Sequence, residues 1–439
     1  MEKKITQKVH LVSLGCPKNT VDSERMLGLL DGNSYQITEK PEQADVVIVN
    51  TCGFIGPAKE ESIDAVMAAH RLKKEGQCKG VIVTGCLATR YEKELRAEMV
   101  EADALLTIDQ EVEIVEKVDR ILNNPSRRKT LNTVRKSLTP HHWSYLRISD
   151  GCDHKCAFCS IPAIRGPHKS EAVEDLLAEA ERLASAGVRE LVLISQDSVR
   201  YGADLYGRPA LVKLLGQLEK VKGIEWIRLM YTYPAFWTEE MIDFFATSPK
   251  MCAYIDMPLQ HISDSVLRRM KRATTRQKTV DLLKLLRARI SDVGLRSTFI
   301  VGFPGETDED FEQLLEFVEE TRFDHLSGFI YSPEEGTSAF RLDAEVAEEV
   351  KEYRYSRLTQ LQERIATEIN DDLVGSRHKV LVDDRDEMGF YGRMQRDAPE
   401  IDGQVLIEKG EIEIGQFVEV EIIGADPFQL HARVVGVPY

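Results

Sequence analysis

Short apolar runs alternate with amphipathic stretches through most of this chain, and this alternation constrains the fold more than any other feature. In the first part, the apolar runs cover residues 9–14, 46–49 and 81–84, with helical periodicity in the stretches between them. Unbroken Val and Ile runs joined by helical crossovers indicate a parallel sheet covered on both faces. Such sheets bind ligands at the carboxyl ends of their strands.

The alternation returns with longer spacing after Trp143. Helical stretches separate six predicted strands, at 145–149, 188–195, 226–231, 253–257, 296–301 and 326–331. About six such units predict an open or partial β/α barrel, in which chemistry collects at the carboxyl ends of the strands.

The last part of the chain has a different periodicity. A charged helical stretch, 343–373, is followed by Gly375 and then by five short predicted strands, at 378–382, 389–394, 404–407, 417–423 and 429–435. These predict a small five-stranded β-barrel. We therefore expect an α/β multidomain protein with domains at 1–123, 143–373 and 374–439 and a basic linker at 124–142.

Three cysteines of the first domain each follow a predicted strand. They are Cys16, Cys52 and Cys86, and the carboxyl ends of parallel strands meet at one edge of a sheet. Gly15 and Gly85 would let the backbone bend closely around a bound group. The alternative is that each cysteine is a small buried hydrophobe, which is the interpretation we favour for Cys78 and Cys252.

Three more cysteines lie within the loop Gly151-Cys-Asp-His-Lys-Cys-Ala-Phe-Cys-Ser160. Cys152, Cys156 and Cys159 supply three thiolates, and three ligands leave one iron of a cubane iron–sulfur cluster open to a small molecule. The alternative is a structural zinc site with His154 or a distant side chain as the fourth ligand.

Disulfide pairing does not fit the context of these cysteines. The N-terminus, Met1-Glu-Lys-Lys-Ile, lacks an apolar signal segment, and no stretch reaches the length needed to span a bilayer. Eight cysteines in 439 residues then fit a reducing, cytoplasmic location.

The net charge of −16 argues against nonspecific affinity for nucleic-acid backbones.

The Cys-x3-Cys-x2-Cys loop, with Phe158 before its last cysteine, resembles the signature of radical S-adenosylmethionine (SAM) enzymes. Over its whole length the chain resembles the methylthiotransferases of that superfamily, which have an N-terminal cysteine domain, a radical-SAM barrel and a C-terminal TRAM domain. Further motifs similar to the family are Ser160-Ile-Pro-Ala-Ile-Arg-Gly166, Pro258-Leu-Gln-His-Ile-Ser263 and Thr298-Phe-Ile-Val-Gly-Phe-Pro-Gly-Glu306.

Two branches of this family differ in their substrate. One modifies adenosine beside tRNA anticodons, and the other modifies an aspartate of a small-subunit ribosomal protein. The motifs Ser13-Leu-Gly-Cys-Pro-Lys-Asn-Thr-Val-Asp-Ser-Glu24 and Leu193-Ile-Ser-Gln-Asp-Ser-Val-Arg-Tyr-Gly202 resemble the ribosomal-protein branch. The tRNA branch usually has Gln-Met in place of Pro17-Lys18.

The resemblance implies two [4Fe-4S] clusters, one on Cys16, Cys52 and Cys86 and one on Cys152, Cys156 and Cys159. It implies that the second cluster binds and cleaves SAM to a radical, and that a methylthio group replaces one hydrogen on the aspartate β-carbon. Phe158 and Gln196 either line the SAM pocket or are ordinary packing. Arg165 either contacts cofactor or substrate or forms a surface ion pair. No catalytic residue beyond the cluster ligands is predicted.

The expected partners are a small-subunit ribosomal protein or the assembled small subunit, with contacts to ribosomal RNA, and an electron donor such as flavodoxin or ferredoxin. Residues 375–439 contain seven basic and thirteen acidic side chains, a balance of −6 that favours a basic protein over RNA. The alternatives are a tRNA adenosine methylthiotransferase and a noncatalytic iron–sulfur module that binds RNA.

Overall fold

A computed structural model of the chain describes residues 7–76, 78–124, 134–408 and 410–436. The chain forms two compact units. The first consists of Met1–Leu138 together with two short segments, Gly151–Asp153 and Ser160–Pro167. The second contains the remainder, including His154–Cys159.

The first unit is built on a five-stranded parallel sheet. In spatial order its strands are Gln36–Ile37, Lys8–Ser13, Val46–Thr51, Gly80–Gly85 and Ala104–Leu105. The strands Val46–Thr51 and Gly80–Gly85 are buried throughout, because helices pack on both faces of the sheet. These helices are Pro17–Gly32, Gly56–Lys74, Cys86–Arg90, Glu92–Glu98 and Ile114–Ile121. The predicted parallel sheet is confirmed.

The second unit contains six parallel strands that follow one another in chain order. They are Trp143–Arg147, Glu190–Ile194, Trp226–Leu229, Tyr254–Asp256, Gly294–Val301 and His325–Ile330. A bridge between Ile227 and Met251 links the first three strands to the last three. The predicted partial barrel is therefore confirmed.

Helices of the second unit cover the outer face of these strands and bury a large apolar core. They are Val173–Ser185, Ala203–Tyr206, Leu211–Leu218, Glu239–Thr247, Asp264–Arg269, Arg276–Arg289 and Asp308–Thr321. A long charged helix follows, but it spans Glu348–Asp371, so the predicted start at residue 343 was too early. Ala344 has a φ of +68°, which a helix does not allow.

The end of the chain forms the predicted five-stranded barrel, which is closed. Its strands are Arg377–Arg385, Phe390–Arg393, Gln404–Ile407, Phe417–Ala425 and Gln429–Val434. Apolar side chains alternate along these strands and fill the interior. The C-terminal barrel belongs to the second compact unit.

A loop of the C-terminal barrel, residues 394–402, packs against the amino-terminal ends of the partial-barrel strands. The Tyr145 hydroxyl donates to Glu400 at 2.7 Å, and the Tyr254 hydroxyl donates to Asp402 at 2.7 Å. Arg228, fully buried, donates to the backbone carbonyl of Gln395 at 2.6 Å. The end of the partial barrel away from the cysteine loop is therefore filled by polar contacts with the C-terminal barrel.

The predicted linker lies partly outside the described residues, since 125–133 are not among them. Within the described part of the chain, no helix is long and apolar enough to cross a membrane.

Candidate metal centres

The cysteines of the first unit lie at the carboxyl edge of its sheet. Cys52 and Cys86 directly follow the strands Val46–Thr51 and Gly80–Gly85, and Cys16 follows the neighbouring strand Lys8–Ser13 after a short turn. These three strands are adjacent in the sheet. The fold therefore brings together three thiols that are far apart in sequence.

Glycines allow the backbone to approach these thiols closely. Gly15 and Gly85 have φ values of +91° and +93°, a region that side chains with a Cβ rarely adopt. A Cβ on Gly15 would lie 3.1 Å from the Cys52 sulfur, and one on Gly85 would lie 2.2 Å from Oδ1 of Asn50. Both positions therefore require glycine, as predicted.

Electrostatics confirm that the three thiols are neighbours. Burial raises the pKa of the Cys86 thiol to about 12, the guanidinium of Arg165 opposes this rise, and Cys16 and Cys52 add to it. Burial also raises the pKa of Cys52, with a further contribution from Cys16. Cys52 and Cys86 are thus buried thiols whose ionisation is opposed by their surroundings, and a bound cation would replace their protons.

Arg165 forms a buried ion pair beside these thiols. Its Nη2 lies 2.8 Å from Oδ2 of Asp22, and the two side chains are 1% and 4% exposed. The same nitrogen donates to Oδ1 of Asn19 at 2.6 Å and lies 3.7 Å from the Cys86 sulfur. Of the two alternatives for Arg165, the structure shows an ion pair, but one that is buried and does not lie at the surface.

The second cysteine loop is divided between the two compact units. Cys152 belongs to the first unit, where its backbone N–H donates to the carbonyl of Gly166 at 3.1 Å. Cys156 and Cys159 belong to the second unit, and the N–H of Cys159 donates to the carbonyl of Cys156 at 3.2 Å. The strand Trp143–Arg147 precedes the loop, so these cysteines follow the carboxyl end of a barrel strand.

A second arginine lies next to this loop. Arg272 places Nη1 3.8 Å from the Cys156 sulfur and donates through Nη2 to the carbonyl of Pro258 at 2.7 Å. Its guanidinium lies 4.1 Å from the centre of the Tyr233 ring, which holds its plane in position.

His154 is held away from the role of a zinc ligand. Its Nε2 lies 2.6 Å from Oδ2 of Asp197, and its ring stacks on Tyr233 with centroids 4.1 Å apart. Among the residues that the structure describes, no three His, Cys, Asp or Glu side chains are placed to hold a single metal ion. Three thiolates without a fourth protein ligand leave one iron of a cubane cluster open, as the cysteine spacing predicts.

Unsatisfied polar atoms collect near the carboxyl ends of the barrel strands. Gln196 donates to Asp150 at 2.8 Å, but its buried Oε1 has no hydrogen-bond partner among the described residues. The hydroxyls of Ser149 and Tyr331 are buried in the same way. Phe158 is half-buried against an apolar group that includes Phe303. Buried polar groups without partners are costly, so this edge suits a polar ligand.

Residues 146–318, which include the cysteine loop and most of the partial barrel, match the radical SAM superfamily. Residues 374–435 match the TRAM domain, and residues 8–107 match the uncharacterized protein family UPF0004. The class defined by these matches is a radical SAM protein with an N-terminal cysteine domain and a C-terminal TRAM domain.

The chain also has curated relatives that match almost end to end. It is 45% identical over 98% of its length to "Ribosomal protein uS12 methylthiotransferase RimO" of Pelotomaculum thermopropionicum, covering 99% of that protein. It is 44% identical to the protein of the same name from Clostridioides difficile, again over 98% of this chain and 99% of the relative. The chain belongs to this family of ribosomal protein methylthiotransferases.

Solved structures support the fold alone. The radical S-adenosylmethionine methyltransferase TsrM from Kitasatospora setae, with tryptophan substrate and a SAM analog bound, superposes with a TM-score of 0.54 at 12% identity. The match covers 87% of this chain and 79% of that one.

Reasoning from the sequence missed Asn19, Asp22 and Arg272. Asn19 and Asp22 stand in the motif that distinguishes the two branches, whereas Arg272 lies outside every predicted strand and helical stretch. The motif was therefore the available signal for the first two, whereas nothing in the sequence singled out Arg272.

Proposed function

We propose that this protein transfers a methylthio group to the β-carbon of an aspartate in the small-subunit ribosomal protein uS12. The observation that carries the proposal is the end-to-end similarity to enzymes of that name, at 45% identity. The two all-cysteine sets, each at the carboxyl edge of a parallel sheet, are what this chemistry needs.

The six cysteines would hold the inorganic cofactors. Cys16, Cys52 and Cys86 hold one [4Fe-4S] cluster in this proposal, and the loop cysteines Cys152, Cys156 and Cys159 hold a second. When bound, the second cluster supplies the electron that cleaves SAM to a 5′-deoxyadenosyl radical, and the first holds the sulfur that is transferred.

The reaction needs a radical because the β-carbon hydrogen of a carboxylate side chain is too weakly acidic for an ordinary general base. SAM cleavage would supply the radical that takes this hydrogen, and the cluster on Cys16, Cys52 and Cys86 would supply the sulfur and accept the one electron released when the carbon–sulfur bond forms. A second SAM would supply the methyl group. A cytoplasmic electron donor such as flavodoxin or ferredoxin supplies the electrons. Gln196 binds a donor group of SAM through Oε1, and Phe158 packs beside the cofactor.

Charge on the C-terminal barrel supports a basic protein as the substrate. Three of its basic side chains, Lys379, Arg393 and Arg396, form ion pairs with acids of the partial barrel. Several of its exposed acids lie in or beside two turns, and these are Asp384, Asp386, Glu387, Glu408, Glu411 and Glu413. These turns would attract a basic ribosomal protein and repel RNA phosphates.

The test uses reconstituted protein under anaerobic conditions with SAM, a reductant and sulfide. Small ribosomal subunits and tRNA are offered separately, and products are measured by mass spectrometry. We expect a methylthio mass gain on a uS12 peptide containing the aspartate, and none with a Cys152→Ala, Cys156→Ala, Cys159→Ala variant. A mass gain on a tRNA nucleoside alone would assign the chain to the other branch, and an absence of 5′-deoxyadenosine would favour a noncatalytic module.

A further inference from the structure

Each of the two cysteine sets has one guanidinium close to one of its sulfurs. Arg165 lies 3.7 Å from the Cys86 sulfur, and Arg272 lies 3.8 Å from the Cys156 sulfur. Arginine stays protonated in proteins, so each site carries a fixed positive charge. The two arginines differ in their surroundings, because Arg165 is paired with a buried carboxylate, that of Asp22.

The structure fixes Arg165 in place through a chain of buried polar contacts. Oδ1 of Asn19 accepts from Arg165, while Nδ2 of Asn19 donates to the carbonyls of Leu14 and Thr51 at 3.0 and 2.9 Å. Asn50 in turn donates to the carbonyl of Asn19 at 2.9 Å. The guanidinium is thus held by the strand ends that also carry the cysteines.

This placement has an electrostatic consequence for any cluster on the first cysteine set. Reduction adds one electron and breaks no bond, so a nearby fixed cation stabilises the reduced form more than the oxidised form. The reduction potential of an iron–sulfur cluster depends on the charges and hydrogen bonds around its sulfurs. At a site where the cation is 1% exposed, water screens this interaction weakly.

We propose that Arg165 and Asp22 are positioning residues that set the reduction potential of the N-terminal cluster in opposite directions, and that Arg272 acts in the same way on the cluster of the loop cysteines. This inference rests on the proposed function for the assignment of the clusters. It goes beyond that function by naming the side chains that set the reduction potential of each cluster.

The test measures each cluster in isolation. The Cys152→Ala, Cys156→Ala, Cys159→Ala background keeps the N-terminal site, and the Cys16→Ala, Cys52→Ala, Cys86→Ala background keeps the loop site. Midpoint potentials are measured by anaerobic redox titration followed by electron paramagnetic resonance, with iron and sulfide content determined on the same samples.

In the first background we expect Arg165→Gln to lower the midpoint potential and Asp22→Asn to raise it. Arg165→Lys keeps the charge and should stay closer to the unsubstituted protein than Arg165→Gln. Arg272→Gln should lower the potential in the second background and leave the first unchanged. Opposite shifts from the two partners of one ion pair are not expected of residues that merely support the fold.

Shifts of the same sign for Arg165→Gln and Asp22→Asn, or no shift with full cluster content, would overturn the inference. If Arg165→Gln loses its cluster, the Asp22→Asn and Arg165→Lys samples decide the question. A background that binds no iron at all would refute the cluster assignment in the proposed function, which is a separate outcome.

Discussion

Glu190 of the partial barrel contacts an arginine of the C-terminal barrel. Its carboxylate is fully buried and lies between two guanidiniums, 2.7 Å from Nε of Arg228 and 2.8 Å from Nη1 of Arg393. Burial alone would lower the pKa of Arg393, but the carboxylates of Glu190 and Asp383 overcome this and raise it. We predict that Glu190→Gln destabilises this unit strongly.

The expected loss of unfolding free energy follows from the partners that each arginine retains in Glu190→Gln. Arg393 retains Asp383, at 2.6 Å from its Nε, so its charge stays compensated. Arg228 retains a carbonyl and the ring of Tyr254, but loses its carboxylate. Removing one partner of a buried pair costs about 3–5 kcal/mol, and we expect one such loss here. With an m-value of about 3 kcal/mol per molar urea, the unfolding midpoint falls by about 1 M or more.

Tryptophan fluorescence measures this transition directly. All three tryptophans lie in the second unit, and Trp226 packs edge-on against Phe417 of the C-terminal barrel with centroids 4.7 Å apart. The matched control is Glu319→Gln, which removes a carboxylate from an exposed ion pair with Arg364 and should leave the midpoint unchanged. A Glu190→Gln midpoint no lower than that of the control would refute the reasoning.

Three further predictions concern pH, a backbone constraint and cofactor binding. Burial would lower the pKa of His325, but the carboxylates of Asp402 and Asp397 raise it above its ordinary value. The protonated imidazole therefore stabilises the fold fully below about pH 6.5, the unfolded pKa. This stabilisation is lost as the pH rises through the pKa of the folded state. The urea midpoint of the protein should therefore exceed that of His325→Gln by more at pH 6 than at pH 8, and an equal difference would contradict this. Gly85→Ala should lower the thermal midpoint and the iron content far more than Gly76→Ala, since both positions have positive φ but only the Cβ at residue 85 would clash. Gln196→Ala should weaken SAM binding in equilibrium dialysis, whereas substitution of the exposed Gln360 by Ala should not, and equal affinities would remove Gln196 from the proposed site.

The elements and the cysteine positions could be predicted because their signals are local. Apolar runs mark the strands, and each cysteine of the first set stands within a few residues of a strand end. The strand at 404–407 was predicted with its observed bounds. The edge strands Gln36–Ile37 and Ala104–Leu105 were missed, since two residues show no periodicity.

The charged contacts could not be predicted because they join residues far apart in sequence. Arg165 and Asp22 are separated by 143 positions, and Arg296 and Asp402 by 106. A sequence shows that such side chains exist but not which of them the fold buries together. The same limit applies to the C-terminal barrel, because its composition did not indicate that its basic residues pair with acids of the partial barrel.

Because of the loop 394–402, the C-terminal barrel cannot be removed without exposing polar groups of the partial barrel. A chain truncated at Leu373 would leave Tyr145, Arg228 and Tyr254 facing water at an open mouth of the partial barrel, without the groups that now satisfy them. Chimaeras that exchange this domain between relatives must therefore also exchange the partial-barrel residues that contact the loop 394–402. Otherwise the hybrid will bury charged and polar side chains without partners.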